Sequence, residues 1–414
     1  MQLYAIRILG LLALGAVGLH AQVPARRWSL QELLDLTDQQ SPPVLLARLA
    51  GDSARAEVRI AKAFANPQLQ GIQNTPYQYG LAWQSDWGPL RRERIRGALI
   101  GAAAVAADAA DVRRRFRWAV RVAFYDLLLA EDQRALAADA RDVYRQLMQA
   151  DSTRLRTGDI AERTAIKSAL EYARADADLA RASQLVRGER LQLQVALGLP
   201  KPDTAFRIDG SLDVPTSRSE ATPALAPSLG ERPDVKAAAL RVTQAQATQR
   251  QARALLIPQP QISLVTQLGP QRFTPDVPFT LGAGRYALGA SIPLPVFTNF
   301  RGERERAEVA VRSAQLGQRQ VTAFAAGDIQ QALDDYRSAT TLLARYRSGL
   351  LNAVDTALAQ ARYAYQAGAI PLLELLDAVR TYQDTRSDWL TALHGYWIAN
   401  ASLLRAGAEE PKTP

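Results

Sequence analysis

Arg91-Arg92-Glu93-Arg94 and Arg301-Gly302-Glu303-Arg304 are one motif written twice, and Thr157-Gly158-Asp159-Ile160 returns as Ala367-Gly368-Ala369-Ile370 at the same separation of 210 residues (301 − 91 and 368 − 158). Upstream, Asn66-Pro67-Gln68-Leu69 echoes Gln259-Pro260-Gln261-Ile262, and a leucine-rich segment closes each half at Gly198 and Gly407. A duplication held in register over this length suits the wall of a ring or barrel, where each copy supplies an equivalent segment. An enzyme seldom needs its whole architecture twice.

The amino terminus places that wall outside the cytoplasm. Arg7 precedes the apolar run Ile8 to Leu19, too short to span a bilayer, and a small residue follows at Ala21. This is the pattern of a secretory signal peptide over residues 1–21. The rest of the chain has no second apolar stretch of membrane-spanning length, so no helical anchor is expected. Cysteine is absent, which removes disulfides, thiol catalysis and a lipid-modified cysteine. The 50 basic and 41 acidic residues are interspersed along helical segments instead of forming a basic block, so a solvated helix surface is expected and nucleic acid is not. Hydrophobic residues make up 48% of the chain and aromatics only 7%. Much of that apolar share is alanine, as in long, closely packed helices.

Pro89 to Arg156 carries no further proline, and Leu136, Ala140, Val143 and Leu147 recur at coiled-coil spacing. Helical throughout, these roughly 68 residues reach roughly 100 Å at about 1.5 Å each. In the second half no proline lies between Phe300 and Pro371, and Leu343, Tyr346, Leu350, Ala353 and Ala357 give the same seam. Each helix ends in a reversal. Gly158 suits a left-handed stop, with Asp159 and Glu162 forming a capping-box-like pair; Gly368 is its counterpart, and Pro371 suits a first-turn position.

Ahead of each long helix the period changes to two. Tyr77, Tyr79, Leu81, Trp83 and Trp87 alternate with polar or small residues, and so do Tyr286, Leu288, Ala290, Ile292 and Leu294. Ile262 to Leu268 alternates fairly well and Gln68 to Asn74 barely does. Such runs fit transmembrane strands of about 9–11 residues. On alternation alone, a soluble hairpin packed on helices fits equally well. The loop at Asn74 to Pro76 is short, Gly269 to Gly284 reads as a longer surface loop, and 201–231, with four prolines, reads as a connector of little regular structure. The expected organisation is a first repeat over 22–200, this connector, a second repeat over 232–408, and a tail at 409–414.

No catalytic constellation is present. His20 falls in the signal peptide, which leaves His394, beside Trp389 and Trp397, as a packing residue and rules out a multi-histidine zinc site within one protomer. Gly282-Ala283-Gly284 lacks the strand-to-helix context of a phosphate loop. No cofactor or metal is expected. Glu374 and Asp377 share one helix face just inside the second reversal, and by themselves read as solvated surface.

The ordered set of signal peptide, duplicated units and proline-rich midpoint resembles the TolC family of outer-membrane efflux channels over essentially the whole mature chain. Tyr365-Gln366-Ala367-Gly368 with Leu372-Leu373-Glu374-Leu375-Leu376-Asp377 is similar to the family's second-repeat turn, and Asn66-Pro67 and Ile257-Pro258 to its approaches to the strands. The resemblance implies a mixed α and β membrane protein: a homotrimer whose protomers each give four strands to a shared barrel and their coiled-coil helices to a periplasmic tunnel. It implies that Tyr77, Tyr79, Leu81, Trp83, Trp87, Tyr286, Leu288 and Ile292 face lipid, and that Glu374 and Asp377 narrow the entrance. It also implies that Gly158, Asp159, Ile160, Gly368, Ala369 and Ile370 dock a periplasmic adaptor protein leading to an inner-membrane efflux pump, with isoleucines offered as exposed contacts. Some relatives carry a basic residue near the turn where this chain has Ile370, so the contacts that close the entrance are not those. The competing class is a periplasmic coiled-coil scaffold that never enters the membrane.

Overall fold

The computed structural model describes residues 27–72, 77–214, 229–268, 280–281 and 286–407. The expected signal peptide, the tail at 409–414, the Asn74 to Pro76 loop and Gly282-Ala283-Gly284 lie outside them. The chain begins with β1 (Arg27–Ser29) and α1 (Leu30–Gln40), joined by a capping box between Ser29 and Glu32. It continues through α2 (Pro42–Lys62), β2 (Gln68–Ile72), β3 (Tyr77–Gln84), α3 (Pro89–Thr157) and α4 (Glu162–Ala196). After β4 (Arg207–Asp209), the second repeat runs α5 (Pro233–Ala254), β5 (Gln261–Leu268), β6 (Thr280–Leu281), β7 (Tyr286–Ser291), α6 (Arg301–Arg345), α7 (Leu351–Gln366) and α8 (Leu372–Ala406).

α3 is one helix of 69 residues, as its freedom from internal proline requires. Its counterpart is not. Between α6 and α7 a π-type turn at Tyr346–Leu350 holds Gly349 at φ 117 and Ser348 at ψ 17. A π turn inserts one residue into the helical phase, so the buried stripe beyond it moves by one position. Leu343 is buried, but Leu350, Ala353 and Ala357 are exposed, and Leu358 and Tyr365 take over the core. The seam expected over Leu343 to Ala357 therefore ends at the turn.

Of the connector, the described residues 201–214 hold one short strand. β4 pairs in parallel with β1, and Phe206, Ile208, Leu212 and Val214 are buried. They join Leu33 of α1, Phe124 and Leu127 of α3, Leu193 of α4, Leu343 of α6 and Tyr396 of α8 in the main apolar core. A second cluster near the helix reversals joins Tyr144 and Leu147 of α3 to Leu358, Tyr365, Leu372 and Leu376.

The strands of both repeats form one antiparallel sheet in the order β2-β3-β5-β7-β6, the last being a two-residue addition to the four expected strands. Register puts Leu69, Leu81, Leu264 and Leu288 in a single row across the four main strands. They are 78%, 50%, 48% and 48% exposed. The neighbouring row, Gln68, Ala82, Ser263 and Gly289, lies on the other face and is polar or small.

Between the helices, buried charge is paired. Asp38 of α1 accepts from Arg113 Nε and Nη2 at 2.8 and 2.6 Å and from Arg117 Nη1 at 2.6 Å. Burial alone would raise the Asp38 pKa, but the bond from Arg113 and the charges of Arg117 and Arg113 outweigh it and hold the carboxyl below its ordinary value. Asp38→Ala would take a carboxylate partner from the buried Arg117, and should cost about 3–5 kcal/mol in urea unfolding at neutral pH. Because the folded pKa is depressed, this stabilisation is fully present above the unfolded value near 3.9 and is lost as pH falls through the lower folded value. The gap between parent and variant should accordingly narrow on acidification.

Candidate functional site

Two regions carry the candidate functional residues: the outer face of the sheet and the paired reversals at the far ends of the helices. On the sheet, Tyr79, Leu81, Tyr286 and Leu288 are exposed on one face. Tyr77 opens β3 opposite Leu268. Trp83 is half-buried on that face; its indole donates to the Ala65 carbonyl at 3.1 Å, and its ring meets Trp87 edge-on at 5.9 Å. Trp87 and Ile292 are exposed but lie beyond the ends of β3 and β7, so the alternation read from sequence overran both strands.

At the reversals, Gly158 (φ 80) and Gly368 (φ 74) take left-handed conformations. The nitrogens that follow close the turns, Asp159 onto the Arg154 carbonyl at 2.9 Å and Ala369 onto the Ala364 carbonyl at 2.8 Å. Two details correct the sequence reading. Asp159 does not cap α4, whose N-cap is Ala161; its carboxylate instead accepts from Thr157 Oγ1 at 2.6 Å. Pro371 is the N-cap of α8, one position before the first turn. Nor are the isoleucines fully exposed. Ile160 and Ile370 are half-buried, because both line a cleft of ≈ 800 Å³ between the two reversals and Ile370 packs on the second apolar cluster. Arg154, Arg163 and Lys167 line the same cleft.

Glu374 and Asp377 are exposed on α8, opposite the buried stripe of Leu372, Leu375, Leu376 and Val379. Sequence reasoning missed what ties the reversals together. Tyr365 of α7 donates its hydroxyl to Asp151 Oδ1 of α3 at 2.7 Å, with both side chains buried. Arg154 donates to the Gln366 carbonyl at 3.2 Å, and its guanidinium lies 5.4 Å from the centre of the Tyr365 ring. Burial, then the bond to Asp151, pushes the Tyr365 pKa up to about 12, so the phenol stays a donor. The aspartate and tyrosine are 214 residues apart, and no local pattern marks them as partners. His394 was also read incompletely: besides packing, its Nε2 lies 2.7 Å from Asp126 Oδ1. No group of three or more metal-ligating side chains occurs among the described residues, and no described helix is long and apolar enough to cross a membrane.

This arrangement, a small exposed-leucine sheet on one end of very long paired helices, is shared with known proteins. Residues 225–408 match the sequence model of the family described as outer membrane efflux protein. That match spans the second repeat and the end of the connector before it. Outside that segment the likeness continues: the cobalt-zinc-cadmium resistance protein CzcC of Cupriavidus metallidurans is 26% identical over 359 residues, 83% of this chain and 81% of the relative. Among solved structures, CusC superposes with a TM-score of 0.76 at 20% identity, covering 91% of this chain and 92% of the other. The open state of the MtrE outer membrane channel of Neisseria gonorrhoeae gives 0.75 at 21% identity over 92% and 89%.

The Tyr365–Asp151 bond gives a direct test. Tyr365→Phe leaves a buried carboxylate without its donor and should cost about 1–3 kcal/mol or more, loosening α7 from α3. Proteolysis at the reversals should speed up in the variant while the main core, far along the helices, keeps its near-ultraviolet circular dichroism. In the parent the bond's contribution is complete below the unfolded tyrosine pKa of about 10, and is lost as pH rises through about 12.

Proposed function

We propose that the protein is the exit duct of a tripartite efflux system: a homotrimer in the outer membrane that passively conducts substrates brought by an inner-membrane pump through a periplasmic adaptor. The observation that carries this reading is the row Leu69, Leu81, Leu264 and Leu288, exposed on every main strand and backed by polar or small residues. A hairpin packed on helices would bury that row; a strand of a membrane barrel turns it to lipid. The periplasmic scaffold reading leaves this surface unexplained. The helices then form the tunnel, and their reversals lie at its periplasmic mouth.

The mouth supports two finer assignments. Exposed Glu374 and Asp377, repeated around a threefold axis, would bring about six carboxylates to one constriction, favouring cations there. CzcC, whose name is that of a cobalt-zinc-cadmium resistance protein, fits a cationic cargo as well. The Tyr365–Asp151 and Arg154–Gln366 contacts hold the second reversal against the first and supply the closure that a basic residue at position 370 would otherwise give. The glycine turns and the cleft between them form the adaptor surface. No described feature supplies catalytic chemistry, and transport energy comes from the pump.

Charge placement tests the barrel. Leu288→Arg should cost about 2–4 kcal/mol near the bilayer midplane and reduce assembled protein in outer-membrane fractions, while Gly289→Arg on the opposite face should cost much less. Equal tolerance of the two would refute the assignment. Single-channel recordings test the mouth. Glu374→Ala, Asp377→Ala should shift the reversal potential toward lower cation selectivity and relieve block by multivalent cations without changing assembly; recordings identical to the parent would remove these carboxylates from the conduction path.

A further inference from the structure

Where strands hand over to the long helices, large apolar side chains stand exposed beside arginines. Phe64 and Trp87 are 55% and 57% exposed in the first repeat, and Phe297 is 100% exposed in the second. Phe64, Trp87, Gly88, Arg91, Arg92 and Ile95 surround a shallow cleft of ≈ 370 Å³ at the start of α3. Its polar groups are unevenly satisfied. Asp86, also at the cleft, is held by both oxygens on Arg94 and lies 3.6 Å from Arg91 Nε. The Arg91 guanidinium covers the Phe64 ring at 4.1 Å and donates to the Lys62 carbonyl at 2.5 Å. Arg92 is 75% exposed, with its Nε 3.9 Å from a Glu93 carboxylate oxygen, while Glu93 is itself bound by Arg250 at 2.8 Å.

Two further observations mark the place as unfinished. α3 starts at Gly88 (φ 85) without a side-chain cap; Pro89, its first residue, carries no N–H, which leaves the Leu90 and Arg91 N–H groups as the donors ahead of the first intrahelical bond, from Arg92 to the Gly88 carbonyl. Ser85, 2% exposed, has a hydroxyl oxygen without a hydrogen-bond partner and lines an adjoining cleft that shares Phe64 and Asp86 with the first. The apolar surface of the sheet also runs into this corner, from Leu81 through Trp83 to Trp87, and ends on Arg91 and Arg92. An apolar face that terminates in aromatics and guanidinium groups has the chemistry of a bilayer's edge, where acyl chains give way to phosphates. A helix N-terminus adds donors suited to the same anion.

We propose that this cleft binds the headgroup of an anionic phospholipid in the periplasmic leaflet of the outer membrane. Arg92 and the start of α3 take the phosphate, and Trp87, Phe64 and the sheet surface take the acyl chains. The inference rests on the membrane-channel reading above. It is tested on the detergent-extracted assembly reconstituted into nanodiscs of phosphatidylcholine containing a minority of phosphatidylglycerol, re-extracted, and weighed with its retained lipids by native mass spectrometry.

The parent should retain phosphatidylglycerol about fivefold above its share of the bilayer, and Arg92→Gln should lower that enrichment by about threefold. Arg92→Lys should keep most of it, Trp87→Ala should lose it, and Arg319→Gln, at an exposed position on α6, should leave it unchanged. Inorganic phosphate should not displace the lipid. Enrichment that survives Arg92→Gln, or that free phosphate abolishes, overturns the proposal, the second result indicating a general anion site. Conductance of the same samples separates the two ideas: a conducting parent without enrichment refutes the lipid site alone, and a parent that fails to insert refutes the channel reading with it.

Discussion

Backbone groups at the edge of a sheet cannot be left unpaired in hydrocarbon, where each costs several kcal/mol. Among the described residues of one protomer, β2 has a neighbour on one side only, and the outer side of β7 is covered only at Leu288 and Gly289 by the two-residue β6. On the proposed membrane reading the sheet requires copies of itself to close, and much of the molecule makes sense as preparation for that closure. Duplication supplies two hairpins of equal reach. The helices carry exposed apolar side chains that one protomer does not cover, among them Ile166 and Leu170 on α4 and Val309, Leu316 and Phe324 on α6. Their spacing at four, seven and eight residues gives stripes suited to neighbouring helices.

The repeated arginine motif that exposes the duplication acts where strand becomes helix. Arg94 grips Asp86 and the Ala61 carbonyl; its counterpart Arg304 reaches the Phe300 and Asn299 carbonyls. Both turns need a residue at positive φ. The first repeat uses Gly88 at φ 85, whereas the second uses Phe300 at φ 50, the one non-glycine residue in that region among the described residues. The two junctions nonetheless differ: Gly88 lies at ψ −154 and Phe300 at ψ 33, and Arg94 reaches a carboxylate as well as a carbonyl where Arg304 reaches two carbonyls. The first is also where the apolar surface stops.

The sequence was most legible where one period ruled a long segment. The 69-residue α3, both left-handed glycines and the outward Leu81 and Leu288 of the strands follow from spacing and from the absence of proline. It was least legible where one residue changes the phase or where partners are far apart. Ser348-Gly349 could have signalled a break in the second long helix, but an otherwise regular seam hid it. The short strand Arg207–Asp209 stayed hidden because four prolines outweighed the alternation around Phe206 and Ile208. The Tyr365–Asp151 bond joins the two repeats across 214 residues, and only the packing of α7 on α3 brings it into being.

The dependence of the sheet on neighbouring copies is tested most directly by the mass of the detergent-extracted protein, measured by light scattering with the detergent contribution subtracted. The account predicts a homogeneous species close to three times the mature protomer, recovered from outer membranes, that resists dissociation in sodium dodecyl sulphate until heated. A monomer recovered entirely from the soluble periplasmic fraction, with no slower-migrating form before heating, would contradict it.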